Sequence, residues 1–346
     1  MKTFERTRIV VEQKDYSVEE FCRLSGLPKW AQLVQIQTIE FLSQRDEMCF
    51  QTSGSTGAPK NIFHKKNYLI ASAERTLEFF NLLPGSSALL MLPVEFIGGA
   101  MMLIRALVGG LRLHIVAPKL ELSIIPDVDF LPCTPPQFMS MLERDLLKDF
   151  NGVILLGGAP VPQNLSIGSL HVYEGYGMTE TASHIALRRY GQTFFKALPG
   201  VELTLENQSL QISATHLGIT DLKTHDAAEL IDHQSFKVLG RLDDVINSGG
   251  LKIHPSHLEQ QLQDLGELDV CISAREDLKF GEQLVVVLSE ATSLVTLKKA
   301  LANLPRLHQP KWVLFLEELP VLPNGKIDRV EIRGLVKKSS HHLSPL

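Results

Sequence analysis

The middle of the chain alternates short apolar runs with segments whose apolar residues recur at helical spacing. Ala88–Leu92, Leu113–Val116 and Gly152–Leu156 are apolar runs of strand length, and an apolar helical segment at about Gly99–Val108 separates the first two. Thr134, followed by two prolines, opens an amphipathic segment and predicts a capped helix. Such alternation predicts an α/β domain with ligands at the carboxyl ends of its strands.

The longest apolar stretch, from Ala88 to Ala117, is not predicted to cross a membrane. Glu95, Arg105 and Arg112 interrupt it, as do two pairs of glycines. A membrane span needs about 20 consecutive, mostly apolar residues. We therefore interpret the stretch as a buried strand–helix–strand unit and expect no integral membrane association.

Composition and charge favour an ordinary globular enzyme. The 346 residues are enough for two domains, and 44% are hydrophobic and 21% charged. A net charge of -5 argues against a nucleic-acid partner. The charged N-terminus does not resemble a signal peptide, and the four scattered cysteines lack metal-ligand spacing. A cytoplasmic location is the expectation.

The segment Thr52–Lys60 is the strongest candidate for binding an anion. Its two glycines allow a tight turn whose amides can point at phosphate, its hydroxyls can donate, and its lysine adds a positive charge. It is not a Walker A loop, because only two residues separate the glycines. A polar surface loop is the alternative. The candidate phosphate-binding residues are Thr52, Ser53, Gly54, Ser55, Thr56, Gly57 and Lys60.

Two further stretches are candidates. Glycines after a strand, as in Gly157–Pro160, permit a tight turn, and this purely structural interpretation stays open for them. In Tyr173–Thr181 an aromatic ring can stack on a purine, a threonine hydroxyl can hold a phosphate oxygen, and a carboxylate can bind Mg²⁺. A strand-to-helix turn capped by Thr179 is the structural alternative.

Five stretches, in order, resemble the adenylate-forming enzymes, the superfamily of acyl-CoA synthetases and peptide-synthetase adenylation domains. They are Phe50–Lys60, Gly157–Pro160, Tyr173–Thr181, the segment from Thr224 to Pro255, and Pro323–Arg329. The resemblance implies an ATP-dependent ligase that makes an acyl-adenylate and passes the acyl group to a thiol. It therefore implies ATP, Mg²⁺ and CoA as cofactors or co-substrates, and a small-molecule carboxylate as substrate.

The resemblance also implies roles for single residues. Lys326 would bridge the substrate carboxylate and the α-phosphate, Thr179 would contact the α-phosphate, and Glu180 would bind the metal. Asp243 would be the hinge of a rotating C-terminal domain. The implied adenosine-binding residues are Gly157, Gly158, Ala159, Tyr176, Asp226 and Arg241. The implied loop for the CoA step contains Gly249, Gly250 and Lys252.

The fold implied is a large N-terminal α/β domain, shortened relative to the family, and a small mobile α+β C-terminal domain. We place these at residues 1–240 and 241–336, followed by a disordered tail at 337–346. Ser256 and Glu259 have the spacing of a helix capping box at the start of the small domain. A homodimer is a further prediction, because a shortened domain exposes apolar surface.

The brevity of the chain and the stretch Thr179–Arg188 resemble compact bacterial o-succinylbenzoate–CoA ligases of menaquinone biosynthesis. We expect Phe96, Gly98, Gly158 and His184 to border the acyl pocket, with His184 or Arg188 donating to a second carboxylate. An exposed helix face for both is the alternative. Another short aryl- or acyl-CoA ligase, transfer to a carrier protein, and a non-catalytic nucleotide-binding homologue also stay open.

The sequence departs from the family pattern at three positions. Phe96 stands where many CoA ligases carry a histidine, so a role that relies on an imidazole is lost. His225 replaces the glycine of the usual Thr-Gly-Asp, which leaves the ribose role of Asp226 in place and the loop geometry open. Asn61 replaces a glycine after Lys60.

Overall fold

The computed structural model describes residues 4–51, 60–162, 165–266, 268, 270–278, 280–289, 292–321, 327–339 and 343–346. The chain forms two compact units. Unit 1 contains Met1–Val161, Ile167–Glu202 and Ile212–Leu222, and unit 2 contains Pro162–Ser166, Leu203–Gln211 and Lys223–Leu346. No helix within the described residues is both long and apolar enough to span a membrane.

The first half of the chain alternates strands and helices as the apolar pattern predicts. Its strands are β1 (Arg8–Val11), β2 (Lys14–Ser17), β3 (Glu47–Gln51), β4 (Asn61–Lys65), β5 (Ser87–Leu90), β6 (Arg112–Ile115), β7 (Phe130–Cys133), β8 (Val153–Leu156), β9 (His171–Gly177), β10 (His184–Arg189) and β11 (Phe195–Ala197). Its helices are α1 (Val18–Arg23), α2 (Lys29–Leu42), α3 (Lys66–Phe79), α4 (Ile97–Gly109) and α5 (Pro135–Glu143).

The main sheet of unit 1 has a parallel centre and antiparallel margins. Its order is β2-β1-β6-β5-β7-β8-β9-β10-β11. All pairs from β1/β6 to β8/β9 are parallel, whereas β1/β2, β9/β10 and β10/β11 are antiparallel. Strands β3 and β4 form a separate antiparallel ribbon. The parallel centre confirms the predicted α/β class and puts several strand ends at one edge.

Helix α4 shows why the apolar pattern was informative. Every residue from Gly99 to Leu107 is buried, Arg105 included, so the helix lies in the core of unit 1. Gly99 is required there because a Cβ would collide with the carbonyl of Pro93. The predicted strand–helix–strand unit is confirmed, since β5 and β6 pair in parallel on either side of α4 in the chain. Thr134 caps α5 in a capping box with Gln137, as predicted.

The remaining elements are mostly antiparallel. The strands are β12 (Glu202–Glu206), β13 (Ser209–Ala214), β14 (Ile219–Leu230), β15 (Ser235–Arg241), β16 (Ile246–Ser248), β17 (Leu251–Ile253), β18 (Val270–Asp277), β19 (Gly281–Ser289), β20 (Trp312–Leu316) and β21 (Ser344–Pro345). The helices are α6 (Pro255–Gly266), α7 (Leu294–Ala302) and α8 (Arg329–Lys338). Strands β16 to β21 form one sheet, in which β19 pairs with β16, β18 and β20, and β20 also pairs with β21.

The predicted domain boundary near residue 240 stays a prediction. The longest segment of unit 2 is Lys223–Leu346, and within it β14 and β15 pair from Asp226 to Arg241. The tail expected to be disordered at 337–346 also stays a prediction, and part of it lies within the described residues. Helix α8 continues to Lys338, Leu343 is buried, and Ser344 and Pro345 pair with β20.

The capping box predicted at Ser256 and Glu259 is wrong. Helix α6 already begins at Pro255, so Ser256 lies inside it. The Glu259 carboxylate instead accepts from the backbone amide of Ile272 at 2.7 Å and from Arg329 at 2.5 Å. Glu259 bonds to these groups, which are distant in sequence, and not to the start of the helix, because a charge-assisted bond to a guanidinium is stronger than a bond to a backbone amide.

Candidate active site

The carboxyl edge of the parallel strands in unit 1 gathers several predicted site segments. Strands β5, β7, β8 and β9 run in the same direction, so their last residues share this edge. Phe96 and Gly98 follow β5, the glycine turn follows β8, and the Thr179 turn follows β9. This edge is where ligands bind in open α/β sheets.

The predicted phosphate segment falls mainly outside the described residues. Thr52, Ser53, Gly54, Ser55, Thr56 and Gly57 belong to residues 52–59, of which nothing is described. The two ends of the segment are placed, since Gln51 and Asn61 face each other as the last pair of the β3/β4 ribbon. Lys60 is exposed beside this pair.

The predicted adenine-binding residues lie on neighbouring strands. Gly157, Gly158 and Ala159 follow β8, where the Gly157 amide donates to the carbonyl of Cys133 at 3.2 Å. Gly158 has φ +92°, and a Cβ at either glycine would meet open space, as an approaching base requires. Tyr176 on β9 is half-buried, with its ring centre 5.8 Å from that of Phe195. The position of the two segments is compatible with one ligand; their roles stay predictions.

Thr179 and Glu180 lie in a short 3-10 turn that is closed by several hydrogen bonds. The Thr181 hydroxyl accepts from the Met178 amide at 2.9 Å and lies 2.7 Å from the carbonyl of Ser183. The carbonyl of Thr179 accepts from the amide of Ala182 at 3.1 Å. Ala182 is fully buried with φ +61°, a strained conformation that the surrounding structure must maintain. The turn is therefore a rigid support for the two side chains.

His184 is buried on strand β10, which contradicts the alternative prediction of an exposed helix face and leaves its place in the acyl pocket a prediction. It does not lie on an exposed helix face, because only 7% of it is accessible. Its Nε2 lies 3.3 Å from the Thr76 hydroxyl. Burial, with the charges of Arg105 and Arg75, holds the pKa of His184 well below its usual value. His184 is therefore neutral at pH 7 and supplies no charge to a carboxylate.

Arg188, the other proposed donor, is already paired. Its guanidinium contacts the buried carboxylate of Glu174 at 2.7 Å and lies 4.5 Å from the ring centre of Phe195. The residue is on β10, not on a helix face. A guanidinium held in this way has little capacity left for a substrate anion.

Two buried arginines near His184 were missed as site residues. Arg105 is only 2% exposed and donates to the Ser183 hydroxyl at 2.5 Å, while Arg75 donates to the His184 carbonyl at 2.9 Å. Burial lowers the pKa of Arg105 to about 9, with a contribution from Arg75, and that of Arg75 to about 10. Within the described residues neither guanidinium is paired with a carboxylate, and the Nε atoms of both lack hydrogen-bond partners.

The sequence contained a signal for Arg105. It is the charged residue inside the apolar helix α4, seven residues after Gly98 and thus on the same face. In the sequence alone, this charge argues only against a membrane span. Arg75 gave no comparable signal, because it lies in an ordinary amphipathic helix, α3.

The predicted ribose-binding and hinge residues cluster in unit 2. Asp226 and Arg241 face each other across β14 and β15, with 3.8 Å between the carboxylate and the guanidinium. Asp243 accepts from Arg241 at 2.9 Å and from His225 Nδ1 at 3.0 Å. His225, which replaces the family's glycine, thus contacts the proposed hinge residue. These contacts hold the pKa of Asp243 low against the opposing effect of burial.

The predicted CoA-step loop is the tip of the β16/β17 hairpin. Gly249 and Gly250 both have positive φ, +59° and +84°, which only glycine adopts without strain. The Gly249 amide donates to the carbonyl of Phe280 at 2.9 Å. Lys252 is exposed on β17.

Lys326 lies outside the described residues, as does the rest of 322–326. The flanking residues are placed: Val321 and Ile327 form an antiparallel bridge. Arg329 is bonded to Glu259 and lies 3.6 Å from Asp244. The catalytic role of Lys326 stays a prediction.

Comparison with known proteins decides the family. Residues 5–216, more than half of the chain, match the sequence profile of the AMP-binding enzymes. The chain belongs to the AMP-binding enzyme family. This confirms the predicted adenylate-forming class, and with it an enzyme of the AMP-forming acid–thiol ligases.

Relatives of this AMP-binding enzyme agree on the class. It is 26% identical over 322 residues to the 2-succinylbenzoate–CoA ligase of Haemophilus influenzae, covering 84% of this chain and 70% of that protein. It is 27% identical over 376 residues to the corresponding ligase of Bacillus cereus, covering 94% and 77%.

Solved structures with the same fold include short and ligand-bound proteins. An acyl-CoA synthetase (AMP-forming)/AMP-acid ligase II-like protein from Dyadobacter fermentans shares 29% identity at a TM-score of 0.59, covering 91% of this chain and 97% of that one. The o-succinylbenzoate CoA synthetase of Bacillus subtilis, in complex with the acyl-adenylate OSB-AMP, has a TM-score of 0.77 at 17% identity, with 95% of each chain covered. The second comparison supports the fold alone.

Proposed function

We propose that this AMP-binding enzyme joins o-succinylbenzoate to CoA through an acyl-adenylate. A carboxylate is a poor electrophile because its leaving group would be an oxide. Attack of the carboxylate oxygen on the α-phosphate of ATP releases pyrophosphate, and the resulting acyl-adenylate has AMP as a good leaving group. Attack of the CoA thiol on the acyl carbon then releases AMP.

The observation that carries the choice of acid is the pair of buried arginines. A buried cation without a carboxylate partner is costly, and an anion of the substrate that paired with it would lower this cost. o-Succinylbenzoate has two carboxylates, so one can react while the other pairs with Arg105. Gly98, one of the predicted pocket residues, lies on the same face of α4 as Arg105. The names of the relatives in Haemophilus influenzae and Bacillus cereus support the same acid.

The adenylation step rests on the turn after β9. Thr179 and Glu180 are half-buried there, near the carboxyl edge of the sheet. Mg²⁺ is usually bound through one or two carboxylates and the phosphates of the nucleotide, so the single carboxylate of Glu180 fits that ion. The bound ion would neutralise charge on the triphosphate. The chain's own contribution is to hold the Thr179 hydroxyl and the Glu180 carboxylate in fixed positions, with Lys326 proposed as the cation that joins the two anions.

The thiol step rests on the β16/β17 hairpin of unit 2. The Gly249 amide fixes this loop to Phe280, and the ammonium of Lys311 lies 5.0 Å from the centre of the Phe280 ring. An aromatic ring beside a lysine suits a nucleotide with phosphates. We propose that this part of unit 2 receives CoA.

The test is pyrophosphate release with Mg·ATP across a panel of acids, measured with and without CoA. With o-succinylbenzoate we expect pyrophosphate release that becomes multiple-turnover when CoA is present. With benzoate or fatty acids we expect much slower release. Turnover with those acids instead would still support an acid–CoA ligase but would contradict o-succinylbenzoate as its substrate. Acyl transfer to a carrier protein but not to CoA would contradict the acceptor, and nucleotide binding without pyrophosphate release would favour a non-catalytic homologue.

A further inference from the structure

His64 is a buried histidine next to the proposed adenylation site. It lies on β4, four residues after Lys60, and is only 7% exposed. Its Nε2 lies 2.6 Å from the carbonyl oxygen of Thr179, a residue 115 positions later in the chain. The contact joins the β3/β4 ribbon to the turn after β9. Both belong to unit 1.

The geometry determines the protonation of the ring. A carbonyl oxygen can only accept, so Nε2 must carry the hydrogen and donate it to Thr179. Burial lowers the pKa of His64, and the Thr179 carbonyl and the Glu180 carboxylate oppose this only in part. The imidazole is therefore a neutral donor at pH 7. A neutral donor holds the turn without adding a positive charge beside Glu180.

The bond acts at a position on which both proposed catalytic side chains depend. The Thr179 carbonyl accepts from His64 and from the amide of Ala182, which is strained and buried. The first contact comes from outside the turn and the second from within it. Losing the outside donor would leave the Thr179 peptide held only from within the turn, and a shift of this peptide would move the hydroxyl of Thr179 and the carboxylate of Glu180 together.

We propose that His64 is a positioning residue for acyl-adenylate formation, holding Thr179 and Glu180 through the Thr179 carbonyl. The inference rests on the proposed function, since it assigns His64 to the first half-reaction. The imidazole does not touch the reacting atoms in this assignment. It acts through the turn, and thioester formation from a finished acyl-adenylate should not require it.

Two amide variants separate positioning from mere burial. The side-chain amide of His64→Gln can place its nitrogen where Nε2 stands, whereas that of His64→Asn is one methylene shorter and cannot reach the Thr179 carbonyl. Met48→Ala is the matched control, because Met48 faces His64 across the ribbon on the same buried side. All three variants perturb the ribbon, and only His64→Asn removes the bond to the turn.

The readouts are ATP–pyrophosphate exchange, thioester formation from supplied acyl-adenylate, ATP affinity by calorimetry, and Tm. We expect His64→Asn to lower kcat for exchange about 100-fold, the scale of a small misplacement of catalytic groups. ATP affinity should fall much less than kcat for exchange, thioester formation should be nearly unchanged, and His64→Gln should restore most of the exchange. Met48→Ala should lower Tm but leave exchange by the folded enzyme close to wild type.

The outcomes distinguish the inference from the function on which it rests. Equal exchange by the Gln and Asn variants would overturn the role of His64, as would equal losses in both half-reactions. Exchange absent from the wild-type enzyme with every acid would overturn the proposed function, and the inference with it.

Discussion

The largely buried guanidinium groups of the two units have chemically different partners. In unit 2, Arg329 is surrounded by carboxylates, with Glu259 at 2.5 Å and Asp244 at 3.6 Å. In unit 1, Arg75 and Arg105 are more deeply buried than Arg329 and contact hydroxyl, carbonyl and imidazole groups. The positive charge of Arg329 is neutralised by carboxylates of its own unit. The charges of Arg75 and Arg105 have no carboxylate partner among the described residues.

The pKa directions follow the same division. Burial disfavours the charged form in both units, and it lowers the pKa of Arg105 to about 9. At Arg329 the opposing effect of Glu259 outweighs burial and raises the pKa above its usual value. A cation that the fold itself stabilises fits a structural role, and one that burial leaves destabilised is a candidate for contact with a ligand.

Removing the paired cation should have the largest effect on stability. Arg329→Met leaves Glu259 buried without its partner, and breaking such a pair costs about 3 to 5 kcal/mol. We expect a large drop in the free energy of unfolding of unit 2, measured by urea denaturation. The KM for the acid should not change in the fraction that stays folded. A stability close to wild type would contradict the structural role of Arg329.

Replacing the proposed catalytic lysine of the same unit should affect rate and not stability. Lys326→Ala should slow adenylation by about 10²- to 10³-fold, the scale for one charge-stabilising donor. Thioester formation from supplied acyl-adenylate should be spared. Asp243→Pro is the reciprocal variant, expected to block the second half-reaction while adenylation continues. Equal losses in both steps by Lys326→Ala would contradict its assignment.

Removing the unpaired cation should weaken binding without weakening the fold. Arg105→Met removes a buried charge that has no carboxylate partner among the described residues, so the free energy of unfolding should stay the same or rise, by up to about 1 to 4 kcal/mol. The sign is opposite to that at Arg329. Thermal unfolding of the ligand-free variants measures both, and a destabilised Arg105→Met would contradict the comparison.

The pH dependence of stability should be the smallest effect. The pKa of His184 in the folded enzyme lies below its usual value, mainly because of burial and then because of Arg105 and Arg75. Below about pH 6.5 the unfolded chain binds a proton that the folded chain does not, so stability is lost as pH falls. We expect Tm to decrease from pH 7 to pH 5, and less so in His184→Gln. If Tm decreased equally in both proteins, His184 would not be the cause of the pH dependence.

The elements that sequence predicted well are those governed by local pattern. Helix α4 and strands β5 and β6 followed from uninterrupted apolar runs, and the cap at Thr134 followed from neighbouring residues. The glycine turn at Gly157 and Gly158 lies near the turn that follows Tyr176 because the carboxyl ends of the neighbouring parallel strands β8 and β9 meet at one edge.

The predictions that were wrong, and the contacts that were missed, depend on information that a local sequence pattern does not contain. The segment from His184 to Arg189 is a strand, and its apolar run does not distinguish helix from strand by period. The pairing of Glu259 with Arg329 joins residues 70 positions apart, so a local capping pattern was a poor guide. The contact between His64 and Thr179 spans 115 positions and likewise required the fold.

The central claim is that the charge left over on Arg105 selects an acid with a second carboxylate. The most direct test compares kcat/KM of the wild-type enzyme and Arg105→Met for o-succinylbenzoate, 2-butyrylbenzoate and 4-oxo-4-phenylbutanoate, the last two each lacking one of its carboxylates. A charged hydrogen bond of about 1.5 to 3 kcal/mol predicts that the variant loses roughly 10- to 100-fold with o-succinylbenzoate and little with the better monoacid. Equal losses with the diacid and the better monoacid would contradict the claim.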